Sequence, residues 1–479
     1  MTTTEISNGF HIHFNVIKIY LKYKPYRRET QVWYNECMNT LTKDFTKGDI
    51  ARPLIRFSLP LIFGNLLQQL YNVADTLIVG RTIGKTALVA VGSSFTLMIL
   101  LTSIILGLCM GTSVVFSNFY GAGNYKLLRH SVFNSFAFIM SVSLVVNFAS
   151  FLLVEVFIKL LQIPPEAADD TRGYLNVILF GMIFVAIYNF VVAILRSIGN
   201  TVVPLIFLAI STILNIILDL LFILKFGMGV KGAAWATVTA QMTSCVGISI
   251  YYFVASKRFI PRGDELHFDK DILRLVFENS VLTSIQQSVM NFGILMVQGL
   301  VNSFGVYVAA AFAAVTKIDG FFYMPSQEFG NAFSIFAAQN YGAKDMSRVG
   351  ESLKKALMIS AVFCMTASVF VWVFARNLMM FFVEGEQEII RIGVSYLRIE
   401  GAFYIGIGFL FILYGLYRGI LKPQMSIVLT VLSLGLRVAL AYIMSSFMGV
   451  EGIWYSIPIG WAVADAVGLG YFVKIRNRI

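Results

Sequence analysis

Residues 71–86 read YNVADTLIVGRTIGKT, and the fold turns on whether this is a phosphate loop or the end of a membrane helix. A phosphate loop places four residues between its first glycine and the Gly-Lys-Thr, and it lies between a strand and a helix. Here three residues separate Gly80 from Gly84, and the preceding run has the composition of a membrane helix. The membrane reading leaves a sharper question, because Asp75 then lies inside an apolar span.

Composition identifies the solvent. Hydrophobic residues make up 57% of the 479 and charged residues 13%, against about 25% charged in a soluble domain. Charge-free windows at 86–125, 173–195, 232–256, 279–316 and 356–375 reach or exceed the roughly 20 residues that cross a bilayer. They are too long and too uniformly apolar for barrel strands, which alternate. Punctuation by charge clusters and Gly/Pro turns predicts an all-α polytopic membrane protein with twelve transmembrane helices, near 54–79, 86–117, 128–160, 167–195, 201–224, 230–255, 272–302, 306–338, 350–383, 388–417, 423–447 and 452–474.

Cys37, Cys109, Cys245 and Cys364 show no paired spacing, and His11, His13, His130 and His267 form no zinc motif. No metal site or disulfide framework is expected from them. Residues 1–50 read as an N-terminal extension without a signal peptide; within it, 1–37 are either a disordered or interfacial segment or a misassigned start, Met38 being the alternative.

If residue 53 is cytoplasmic, the segment before span one, the even-numbered connections and the tail hold 21 Lys and Arg, and the other side holds nine. That bias predicts a multi-pass protein of the cell inner membrane with both termini cytoplasmic. The net charge of +11 is thus partly an orientation signal, and no groove-reading motif points to nucleic acid.

The chain is written twice. YGAGNYKLLRHS (120–131) recurs as YGAKDMSRVGES (341–352), MGVKGAAW (228–235) recurs as MGVEGIWY (448–455), and Arg196 matches Arg418. A constant shift across six helices predicts two lobes, 51–255 and 272–479, related by a pseudo-two-fold axis along the membrane normal, with a cytoplasmic linker at 256–271. Such a plan suits a transporter that opens alternately to either side.

Intramembrane acids should face protein or water, since each costs roughly 2.5–3.5 kcal/mol at a helix centre. Asn215 and Asp219 are four apart and share a face of span five, and Gln68 shares the face of Asp75. With Thr237 of span six they would form a nest of hard oxygens, able to hold sodium or to share a proton between carboxylates. The simpler alternative pairs Asp75 with Arg81 or Lys85 at the interface. Under the repeat, Asn215 and Asp219 fall on Arg437 and Ala441, so coupling is expected in the first lobe only. Arg437 and Asp465 are expected to form a structural ion pair. Pro60 is a candidate hinge in span one, or only marks an early helical turn.

PLIFGNLLQQLYNVADTLIVGR (60–81), LRSIGNTVVP (195–204), LNIILDLLFI (214–223), GVKGAAWATVTAQ (229–241), AQNYGAKD (338–345) and LYRGILKPQMS (416–426) together resemble the multidrug and toxic compound extrusion (MATE) family, in its bacterial DinF-like, MepA-like branch. The resemblance covers about 38–479. It implies a two-lobe antiporter, embedded in the lipid bilayer, without a cofactor and not an enzyme, that expels cationic or amphipathic organic compounds in exchange for inward protons or sodium, as a monomer. Carried over, the ion-coupling residues are Asp75, Asn215, Asp219 and Thr237, which would ligate the metal if sodium is the coupling ion. The hinge is Pro60, and Tyr174 and Asn189 join Gln68 in the substrate cavity. Cation binding would bend span one about Pro60 and shrink the cavity, so that drug and cation exclude each other. The chief alternative is a lipid or lipid-linked oligosaccharide flippase of the same wider superfamily, which favours a strongly basic cavity. A channel lacks a repeated filter motif or charged ring, and an intramembrane enzyme lacks HExxH and GxSxG.

Overall fold

The computed structural model describes residues 42–383 and 385–476. The expected leader 1–37, with Cys37, His11 and His13, lies outside them, as do the side chains of Arg81 and Lys85 proposed to pair with Asp75.

The described residues form α1 (Ala51–Thr82), α2 (Lys85–Gly121), α3 (Tyr125–Leu152), α4 (Val154–Leu160), α5 (Pro165–Ser197), α6 (Val202–Asp219), α7 (Gly229–Ala255), α8 (Lys270–Ser303), α9 (Val306–Gly342), α10 (Met346–Phe382), α11 (Gln387–Gly401), α12 (Tyr404–Gly419), α13 (Pro423–Met448) and α14 (Val450–Arg476). Among them ten helices are long and apolar enough to cross a membrane, and α11 with α12 makes an eleventh as a span bent by 53°. α1, of 32 residues, falls short of that apolarity because it carries Asn65, Gln68, Gln69, Asn72 and Asp75. The predicted third span is interrupted at Leu153, between α3 and α4, and the tenth at Ala402–Phe403.

The sequence repeat reappears in the backbone. Left-handed φ values occur at Gly84 and Gly305 (119° and 100°), Gly123 and Lys344 (69° and 61°), Gly199 and Leu421 (84° and 55°), and Gly227 and Gly449 (both 64°). Each pair is related by the 221- or 222-residue shift, so corresponding helices in the two halves end in corresponding turns.

The halves meet along α2, α8 and α9, where small residues let backbones approach. A Cβ on Gly107 would overlap the backbone of Ser284, and one on Gly111 would overlap Asn279 and Ser280. Thr112 and Ser280 share a 2.8 Å hydroxyl hydrogen bond one residue further on. At the end of the bundle that carries Arg196, Arg348 and Arg418, the buried Gln339 ties three segments together. Its Oε1 accepts from the Phe45 N–H at 2.9 Å and its Nε2 donates to the Ser197 carbonyl at 2.8 Å. Arg348 closes the same knot by donating to the Phe45 carbonyl.

Candidate functional site

Small residues on α7 bring the site together. Gly232, Ala233, Ala234 and Ala236 are buried, and Gly181 of α5 faces Val238 of α7 so closely that a Cβ there would overlap that side chain. This close approach sets Thr237 of α7 and Tyr174 of α5 beside the end of α6. Asp219 is the last residue of α6 and is fully buried; a π-helical turn, Leu220–Lys225, follows it directly. Single π turns insert an extra residue and are frequent at functional sites.

Asn215 and Asp219 meet as their i, i+4 spacing requires. In the amide orientation that satisfies its neighbours, Asn215 Nδ2 donates to Asp219 Oδ2 at 2.9 Å while Oδ1 accepts from the Thr237 N–H at 3.1 Å. The Thr237 hydroxyl shares a 3.1 Å hydrogen bond with the Tyr71 hydroxyl of α1, so α1, α6 and α7 are joined through one threonine. Asp75 stands one turn beyond Tyr71 on α1 and is buried. Tyr71, Tyr174 and Asp219 all lie within electrostatic reach of Asp75. Oδ1 of Asp75 and Oδ1 of Asp219 have no hydrogen-bond partner, and among the described residues no cation faces either carboxylate.

Buried acceptors without donors are costly, and two carboxylates in one apolar pocket resist simultaneous ionisation. The arrangement can relieve both costs by taking up a proton or a small cation held by oxygens. Tyr71 escaped the sequence reading, although its i, i+4 relation to Asp75 could have found it. Gln68 is exposed, Asn189 is half-buried and spends its Nδ2 on the Val185 carbonyl of its own helix at 2.9 Å, and α1 runs through Pro60 without a break.

The second half does not repeat the nest but carries acids of its own. Asp319 of α9 accepts from Tyr396 at 2.8 Å and from Tyr404 at 2.5 Å, and Glu400 is buried at the bend between α11 and α12. Arg437 lies within electrostatic reach of both acids. The expected Arg437–Asp465 ion pair is absent from the described residues, where Asp465 Oδ1 has no partner. Arg437 acts electrostatically on Asp319 and Glu400, whereas burial alone acts on Asp465.

Between the halves lies a small cavity of about 20 Å³ lined by residues that include Leu61, Met110, Arg196, Asn331 and Arg418. Beside its lining residue Asn331, Glu328 accepts from Asn65 and Asn331 at 3.4 and 3.3 Å, and Arg418 donates to Asn331 at 2.9 Å. The repeat-related Arg196 and Arg418 both act on Glu328, so the two arginines of the cavity have an acid within reach.

Comparison with known proteins places this geometry in context. The MatE family model matches residues 60–221 and 280–443. A probable multidrug resistance protein of Bacillus subtilis, YpnP, is 30% identical over 90% of this chain and 96% of its own length. A second from the same organism, YoeA, is 26% identical over 91% of this chain and 96% of its own. Among solved structures, a MOP superfamily transporter from Pyrococcus furiosus superimposes with a TM-score of 0.85 at 23% identity, covering 91% of this chain and 97% of its own, and so shares the two-lobe fold.

Proposed function

Because this chain belongs to the MatE family, we propose that it is a multidrug efflux antiporter, exporting cationic or amphipathic organic compounds in exchange for inward protons or sodium ions by alternating access. The lobes are 51–255 and 272–479, joined by a linker at 256–271; the protein spans the inner membrane with the linker, the basic end of the bundle and both termini on the cytoplasmic side. Coupling resides in the nest of Asp75, Asn215, Asp219 and Thr237, with Tyr71 and Tyr174 at its wall.

One observation carries this reading: the first lobe buries two carboxylates within reach of each other, each with an unpartnered oxygen and no described cation beside it. A site lacking its own counter-charge has a standing affinity for an external one. A ligand shifts an alternating equilibrium only by its differential affinity for the two states, and the effect of ion on drug equals that of drug on ion. The fused contacts of Tyr71 and Thr237 supply the link, because reorienting α1 must break or remake them.

The test is ethidium efflux from everted vesicles with sodium and pH gradients imposed and dissipated separately. Wild type should lose driven efflux when one gradient collapses, and Asp75→Asn and Asp219→Asn should insert normally yet lose it under both. Undiminished gradient-driven extrusion by well-expressed variants would remove the nest from the mechanism. Binding of an isolated lipid carrier without ethidium transport would favour the flippase.

A further inference from the structure

His130 and His267, 137 residues apart, meet near the start of α3 with ring centroids 4.2 Å apart and the rings tilted by 50°. One ring nitrogen of each and a carboxylate oxygen of Asp269 lie within 4.8 Å of one another. One ring nitrogen of each histidine and one carboxylate oxygen of Asp269 are already committed. His130 Nε2 donates to the His267 carbonyl at 2.9 Å, and His267 Nδ1 donates to the Asp264 carbonyl at 2.6 Å. A carbonyl oxygen only accepts, so both tautomers are fixed and lone pairs remain on His130 Nδ1 and His267 Nε2. Asp269 Oδ1 accepts from the Asp271 and Ile272 N–H groups at 2.9 and 3.0 Å, capping α8. Its second oxygen is left for a ligand.

The frame beneath is rigid. Asn134, fully buried, donates to the His130 and His267 carbonyls at 3.0 and 3.2 Å and accepts from the Asp269 N–H at 3.1 Å. One side chain therefore fixes the backbone of all three candidate ligands. The neighbouring Arg129 is neutralised by Glu265, to which it donates from both Nε and Nη2, so it does not repel a cation. His130 is buried while His267 is exposed, which gives an enclosed floor and an open entrance.

We propose that His130, His267 and Asp269 bind a borderline divalent cation of the zinc class, clamping the connection before α8 onto α3. Two imidazoles and a carboxylate select Zn²⁺ or Ni²⁺ over the oxygen-seeking Mg²⁺ and Ca²⁺. Ligand histidines usually donate their other nitrogen to a carbonyl or carboxylate, as both do here. Three protein ligands leave a fourth, solvent-facing position of a tetrahedral site. The ion would be a staple and not a reagent. It would bind where the first half of the chain hands over to the second.

The full-length protein, stripped with chelator in detergent, is titrated with Zn²⁺ and with Mg²⁺, and cleavage by trypsin at Arg258 and Arg262 is followed in parallel. Expected are one equivalent of Zn²⁺ lost in the variants, slower cleavage when it is bound, and no effect of Mg²⁺. His267→Gln, at an exposed position, and Asp269→Asn, which keeps the cap, should each weaken this binding by about tenfold or more, a change of about 1.4 kcal/mol per decade. They should also abolish the protection while leaving the apo protein's thermal midpoint near wild type. Absence of Zn²⁺ binding, or binding and protection that persist in both variants, would overturn the proposal.

Discussion

Gly123 and Lys344 adopt the same left-handed backbone, with φ of 69° and 61°, at matching places in the two copies of the YGA turn. In each the next residue caps the following helix, Asn124 accepting from the Leu127 N–H at 3.1 Å and Asp345 from the Arg348 N–H at 2.8 Å. Glycine adopts this φ freely, whereas a lysine is disfavoured there by roughly 1–2 kcal/mol. A Cβ at Gly123 would meet nothing within 4 Å, so only backbone conformation, and not crowding, disfavours a side chain there. Lys344→Gly should therefore raise the thermal midpoint in detergent and Gly123→Ala should lower it, each by an amount near 1 kcal/mol. Equal midpoints for all three proteins would remove the strain argument.

The fold was legible because a repeat doubles every signal. YGAGN and YGAKD build the same turn from different residues, and either copy read alone would have been a weaker marker of a helix end. Asn215 with Asp219 was equally legible, since their spacing lies within one helix. What depended on packing between distant helices was not. His130 and His267 carry no motif, and the acids of the second half become a cluster only when α9, α11 and α13 converge. The bend after Glu400 falls in EGAFYIG, which contains no proline to announce it.

Gly342 controls how tightly the basic end closes. Its Cβ, if present, would overlap the Asn118 carbonyl of the other half, as a Cβ on Gly121 would overlap that of Gln339. Both neighbours are helical backbone and cannot rotate aside. Gly342→Ala should cost the closed arrangement about 1–3 kcal/mol, enough to change the closed-to-open ratio about tenfold. A cysteine placed at Ser334, in the cavity between the halves, reports the change. Its labelling by a polar maleimide from the basic side should accelerate in the Gly342→Ala background; an unchanged rate would mean that this seam does not gate access.

Glu265 makes the docking of the linker depend on acid. It is buried and receives Arg129 through both Nε and Nη2, and those hydrogen bonds hold its carboxyl below the usual glutamate range. A carboxyl lowered in the folded state contributes stability that is complete above its unfolded pKa of about 4.3 and disappears as pH falls through the lower folded value. Protection of residues 256–269 from amide hydrogen exchange should thus hold steady between about pH 5 and 8 and decline below about pH 4. Glu265→Gln should show the low-pH exchange pattern already at pH 7. Loss of protection centred well above pH 5 in the wild type would assign the docking to other groups.

Arg437 distinguishes the acid cluster of the second lobe from the nest of the first. In the first lobe Asp75 and Asp219 face no described cation, whereas in the second Asp319 and Glu400 share the field of Arg437. A resident counter-charge makes an external ion unnecessary, so the second cluster should act on stability and the first on coupling. Removing one partner from a buried charged group leaves the remainder uncompensated, at a cost of about 3–5 kcal/mol. Arg437→Met should therefore lower the thermal midpoint sharply, and Asp319→Asn added to it should restore part of the loss. The restoration is expected to be partial because Glu400 remains buried without its cation. Asp319→Asn alone should still leave Arg437 one acid to face, and its driven ethidium efflux, normalised to folded protein, should stay near wild type. A midpoint unchanged by Arg437→Met, or efflux lost in a fully stable Asp319→Asn protein, would place ion coupling in the second lobe instead.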